Sequence, residues 1–115
     1  MRNDVLVDWA RVTELQAEFG EEGFAEVLAL FLEETDAVAA EITAGLSASQ
    51  IESKLHFLKG SALNLGLGEL ALLCQDGERL AAIALVTEID LPGVFATYRR
   101  ARETLLLGLR DRTAA

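Results

Sequence analysis

Apolar residues recur along almost the whole chain at three- and four-residue spacing, and no stretch alternates convincingly with the two-residue period of a strand. Residues three and four apart share one face of an α-helix, so such a chain buries its apolar surface by packing helix on helix. One proline in 115 residues leaves little to interrupt those helices. The fold class predicted from this pattern is all-α.

The breaks between helices are marked by caps and glycines. Asp8 is placed to cap a short first helix from about Trp9 to Phe19, with Val12, Leu15 and Phe19 inward and Gly20 ending it. A long helix follows from about Glu22 to Ala44. Its Phe24, Val27, Leu28, Phe31, Val38 and Ile42 lie at helical spacing, and Gly45 stops it. Ser49-Gln50-Ile51-Glu52 has the form of a capping box opening a third helix that runs to about Leu65. After Gly66-Leu67-Gly68, a fourth helix is expected from about Glu69 to Val86, with Leu70, Leu73, Cys74, Leu80, Ala81 and Ala84 inward. Gly77 in its middle suggests close helix packing. Asp90 and Pro92 open the last helix, whose Val94, Tyr98, Ala101, Leu105 and Leu109 form the core side. Long helices joined by short connections pack antiparallel to their neighbours. The expected architecture is an up-down-up-down four-helix bundle with an additional short N-terminal helix across one end, residues 1–115 forming one domain.

Composition narrows the function. Just over half of the residues are apolar and there is no low-complexity tract, so a folded chain is expected. Cys74 is the only cysteine, which rules out an internal disulfide and the multi-cysteine metal motifs. The opening residues lack a secretory signal, and the longest apolar run, Leu80 to Val86, is too short to span a bilayer. A net charge of −9 opposes nucleic acid and anionic lipid as primary partners. The expectation is a cytoplasmic, monomeric protein that meets other proteins.

The chain's only histidine, His56, lies on the third helix, far round from the stripe of Ile51, Leu55, Leu58, Ala62 and Leu65. Lys59 and Gly60 adjoin it on the same surface. A mid-helix glycine costs roughly 1 kcal/mol relative to alanine, so a bare backbone beside this imidazole asks for an explanation. Metal binding is poorly supported, because no second His or Cys is at hand. A hydrolytic triad is no better: Ser53 and Ser61 are near in sequence, but no acidic residue at helical spacing is set to orient the ring, and capping accounts for Glu52. A nucleophilic imidazole fits. Phosphoryl transfer requires an in-line nucleophile and positive charge near the phosphoryl oxygens. Lys59 brings that charge, and Gly60 removes a side chain that would obstruct the approach.

His56-Phe57-Leu58-Lys59-Gly60-Ser61-Ala62 followed by Leu65-Gly66 closely resembles the signature of the histidine-containing phosphotransfer (HPt) domains of bacterial phosphorelays. That pattern is His, any residue, a hydrophobic residue, Lys, Gly, two small residues, then a hydrophobic residue and glycine a turn later. Glu69 to Cys74 also look like the start of the helix that follows in the family. The resemblance implies a phosphocarrier rather than an enzyme. His56 would accept a phosphoryl group on Nε2 from a receiver-domain aspartate and pass it to another, with Lys59 stabilising the group and Gly60 giving access. It implies response-regulator receivers and a histidine or hybrid kinase as partners, and no cofactor of this chain's own, since Mg2+ belongs to the receiver.

Around the histidine, Leu63 and Leu67 are candidates for an apolar docking surface, and Asn64 for a polar contact within it; ordinary packing and a polar helix surface explain them equally well. Ser61 and Ala62 are read as small for helix packing, and Arg99, Arg100 and Arg102 as partners of acidic residues. Two rival readings stay open. One is a helical adaptor that binds receivers without transfer, against which the joint presence of His56 and Lys59 weighs. The other is a phosphotransfer domain excised from a larger hybrid or chemotaxis-type kinase.

Overall fold

Asp8 starts the first helix as its side chain suggests, with Oδ1 accepting from the amides of Ala10 and Arg11 at 3.1 and 3.4 Å. In the computed structural model, which describes residues 5–114, that helix is α1, Trp9–Ala44. The residues in which a secretory signal was sought begin at Met1, and 1–4 lie outside the described part. The two helices expected on either side of Gly20 are both present as the two limbs of α1, separated by a kink at that residue. Gly20 takes φ 75° and ψ 166°, a conformation open to glycine at little cost. Val12 and Leu15 of the first limb are buried as expected, but Phe19, next to the bend, is exposed. Gly45 ends the element.

The second helix, α2, spans Ala48–Leu65, and its cap corrects the expectation. Ser47, not Ser49, is the cap: Ser47 Oγ accepts from the Gln50 amide at 3.2 Å, and Gln50 Oε1 accepts from the Ser47 amide at 2.9 Å. Two overlapping sequences have the capping-box form here. The one chosen places Leu46 and Ile51 at the two staple positions; Ile51 belongs to the core and Leu46, partly buried, packs against it. The other would put Ala48 and Ser53 there, with almost nothing to pack.

At the far end of α2, Gly66 sits at φ 81°, ψ 22°. The Leu67 amide donates to the Ala62 carbonyl at 2.8 Å, and the Gly66 amide to Leu63 at 3.2 Å. This is a Schellman closure, with Leu67 packed down against the last turn. Leu67 is 1% exposed.

The third helix, α3, covers Gly68–Ala82 and stops earlier than expected. It closes through Leu85 and Ala84 amides donating to Leu80 and Ala81 carbonyls at 2.9 and 3.0 Å. Ala84 occupies the left-handed position at φ 60°; it faces solvent rather than the core. Because the residue there is alanine and not glycine, the sequence carries no visible stop. A 3-10 turn, Val86–Glu88, leads to buried Ile89. The last helix, α4, Leu91–Ala114, begins as predicted, with Asp90 Oδ1 accepting from the Gly93 amide at 3.0 Å.

The four helices close into a ring, and the described residues contain no strand. Glu41 of α1 pairs with Lys54 of α2 at 3.1 Å, and Glu69 of α3 with Arg100 of α4 at 3.1 Å. Between α4 and α1, the Tyr98 hydroxyl donates to Asp36 at 2.9 Å, Arg102 pairs with the same carboxylate at 3.0 Å, and the Tyr98 ring meets Phe31 edge-on. α2 and α3 pack closely at Gly77, where a Cβ would lie 2.8 Å from Leu55 of α2 and 3.1 Å from Ile89 beyond the 3-10 turn. The limb before Gly20 lies at the end of the bundle where α2 turns into α3. The Asp8 amide donates to the Gly66 carbonyl and the Glu69 amide to Val5, both at 2.8 Å. Trp9 lies against α4 with the Arg112 guanidinium 4.6 Å above its ring.

Candidate functional site

The periodicity that buries Leu55 and Leu58 at 0% exposure turns His56 outward, and its side chain is 67% exposed. What holds the ring comes from the neighbouring helix. Glu78 of α3 places Oε2 2.6 Å from His56 Nδ1, and Lys59 Nζ lies 2.8 Å from Glu78 Oε1. The second contact is an ion pair set off the line of a directional hydrogen bond. Glu78 and Lys59 are largely covered, at 19% and 23% exposure. Lys59 is therefore tied down beside the imidazole rather than free in solvent.

An ionised carboxylate can only accept, so the nitrogen facing it is the protonated one. Nδ1 donates to Glu78, and the lone pair is on Nε2. Among the described residues no side chain hydrogen-bonds to Nε2. The Lys59 contact is the largest influence holding the Glu78 carboxyl below its usual range; partial desolvation opposes it, and the imidazole adds to the lowering. Behind the pair, burial above all, with help from the Glu78 charge, pushes the Cys74 thiol up to about 12. Cys74 is a neutral packing residue at this site.

The other candidate residues divide. Around Gly60 the space is open: a Cβ there meets nothing within 4 Å. Leu63 is 57% exposed, on the same outer surface of α2. Asn64 is exposed but already engaged, its backbone and side-chain oxygens both accepting from Arg11 at 2.9 Å. Leu67 is corrected: the helix closure that buries it removes it from any docking surface. Arg100 and Arg102 pair with acidic residues as expected, with Glu69 of α3 and Asp36 of α1.

Glu78 was missing from the residues picked out in the sequence. It lies 22 positions from His56, beyond the reach of any pattern within one helix. One signal was available. His56 and Glu78 stand equally far on either side of the turn at Gly66 and Leu67, where an antiparallel helical hairpin brings residues level. The contact of Leu55 with Gly77, one residue along on each side, has the same origin.

No group of three or more His, Cys, Asp or Glu is gathered to hold a metal among the described residues. No helix among them is long and apolar enough to cross a membrane. Neither the curated proteins nor the solved structures contain a match to the chain. The family model described as Hpt domain matches residues 26–109, nearly three-quarters of the sequence and all of the site. The chain belongs to the Hpt domain family, the histidine phosphotransfer modules of two-component signalling.

Proposed function

We propose that this protein is a phosphorelay intermediate that carries a phosphoryl group on Nε2 of His56 between receiver-domain aspartates. The observation that carries the reading is the division of labour in the ring: Nδ1 is occupied by Glu78 at 2.6 Å, and the exposed Nε2 is left as nucleophile. In-line attack on an aspartyl phosphate needs that lone pair, room for the incoming group, and a cation beside it. Gly60 supplies the room and Lys59 the cation. Lys59 reaches the phosphoryl oxygens by leaving Glu78, one anion replacing another.

The partners are receiver domains of response regulators and of a hybrid or histidine kinase. Leu63 sits in the receiver's footprint, with Asn64 at its edge. Magnesium arrives with the receiver, and this chain contributes no cofactor. The protein acts in the cytoplasm as a monomer, and as a phosphocarrier it relies on a kinase elsewhere to consume ATP.

The test is incubation with a receiver phosphorylated on aspartate. Acid-labile phosphate should appear on the wild type and be absent from His56→Gln, with the helical circular-dichroism signal unchanged. Label that persists in the variant, or a wild type that no receiver labels, would overturn the reading.

A further inference from the structure

We propose that the groove between α1 and α4, on the side of the bundle away from His56, is a docking site for a basic amphipathic helix of a partner protein. The site is separate from the chemistry at the imidazole and does not depend on it.

The groove is a seam that the core leaves unfilled. Where α1 runs beside α4, buried Phe24 and Leu28 form the floor, and the α1 wall is made by Ala25 and Ala29, too small to reach across. Leu106 and Leu109 of α4 form the other wall, with Leu106 41% exposed. The space between them is ≈ 330 Å³. Glu21 stands at the end next to the bend at Gly20. At the other end, one turn before Leu106, Arg102 crosses to Asp36 at 3.0 Å and closes the seam. From Glu21 to the level of Leu32 the groove is about 17 Å long, roughly three turns of helix.

Its two lips differ in charge. Between Arg11 and Lys54 the chain has ten acidic residues and no basic one. Glu22, Glu26 and Glu33 stand at i, i+4 and i+11 on the exposed shoulder of α1, with Ala29 among them at i+7. Among the described residues, none of these three carboxylates nor that of Glu21 has an ion-pair partner. On α4, Glu103 and Arg110 lie one turn to either side of Leu106, so their charges offset. The groove therefore has an apolar floor, an anionic lip on α1 and a balanced lip on α4.

This pattern is complementary to a segment that is apolar on one side and cationic along one flank. A helix fits it best. The described residues contain no strand, so no sheet edge is open to pair with an extended chain. A helix arrives with its backbone groups already bonded to one another and needs only side-chain anchors at helical spacing. A second copy of this chain is a poor occupant, since each carries a charge of −9 and two anionic shoulders would meet. In the ring of helices the α4–α1 seam lies across the bundle from the α2–α3 pair that holds His56. A partner docked in the groove is thereby tethered to the protein while the imidazole stays open to receivers.

The probe is a fluorescein-labelled synthetic helix of about three turns, with leucines on one face, lysines along one flank and blocked termini. A twin carries glutamate in place of each lysine. Fluorescence anisotropy with the intact protein should show saturable binding of the lysine peptide and roughly tenfold weaker binding of the twin, a gap that narrows as salt is added. Leu106→Glu, a charge set into the groove at an exposed position, should abolish binding. Glu22→Lys together with Glu26→Lys should reverse the preference between the twins. In both variants the helical circular-dichroism signal and the uptake of phosphate from a receiver should match the wild type. No saturable binding of the lysine peptide, equal binding of the twins, or binding indifferent to Leu106→Glu overturns the proposal. A wild type that sediments as a dimer and becomes monomeric on Leu106→Glu also overturns it, because a second copy then fills the groove. So does a folded Leu106→Glu protein that no longer takes phosphate from a receiver, because the groove then belongs to the receiver's footprint.

Discussion

Gly60 and Lys59 are neighbours with opposite constraints. Gly60 faces open space, so its absent side chain is a loss to the helix with no packing reason behind it. Gly60→Gln should therefore raise stability by up to about 1 kcal/mol, seen as a higher urea midpoint, while slowing phosphate uptake from a receiver because the new side chain stands in its path. A variant as fast as wild type would leave the glycine without a function. Lys59 is anchored to Glu78 at 2.8 Å. Lys59→Ala should cost only about 1 kcal/mol of stability, because a partly exposed ion pair contributes little, yet slow transfer roughly 10²-fold by removing a fixed charge from the reacting phosphoryl group. Equal transfer rates for the two proteins would show that the ammonium serves Glu78 alone.

Among the elements, α3 ends in a way that can be improved. Ala84 holds φ 60° at the position where helices usually carry glycine. A left-handed L-residue is disfavoured by roughly 1–2 kcal/mol, part of which glycine returns through its freedom in the unfolded chain. Ala84→Gly should stabilise the bundle by about 0.5–1 kcal/mol. An unchanged or lower denaturation midpoint would mean that the strain is relieved elsewhere in the turn. Helix boundaries were legible in the sequence where a residue with one strong preference marks them: Asp8, Gly20, Gly45, Gly66 and Asp90 all stand where they were expected. They were obscured where two signals overlapped, as at Ser47 and Ser49, or where the residue at the stop was alanine. The choice between overlapping caps rested on what Leu46 could pack against, which is a property of the assembled core.

At the scale of the whole molecule, the core holds two weak acids neutral. Burial, with Glu78 beside it, pushes Cys74 from 9.0 to about 12. Burial together with Asp36 pushes Tyr98 from 10.0 to about 12, with Arg102 in opposition. Both folded values lie above the unfolded ones, so above about pH 9 the unfolded chain sheds protons that the folded chain keeps. Stability should be undiminished below pH 9 and fall progressively as the pH rises through 12. Urea midpoints measured from pH 7 to 11 check this, and in Cys74→Ala the decline should begin nearer pH 10. A flat profile over that range would show that neither group is protected.

The local code was enough to make this chain helical, to punctuate it, and to turn one imidazole outward beside a lysine and a glycine. Those outcomes depend on spacing within a single helix and on the preferences of individual residues. Leu67 and Glu78 were decided otherwise. The closure of α2 onto α3 buried the leucine and brought the carboxylate level with the imidazole. Which nitrogen of His56 keeps its lone pair is thus a consequence of tertiary structure, because the group that selects it arrives on a different helix.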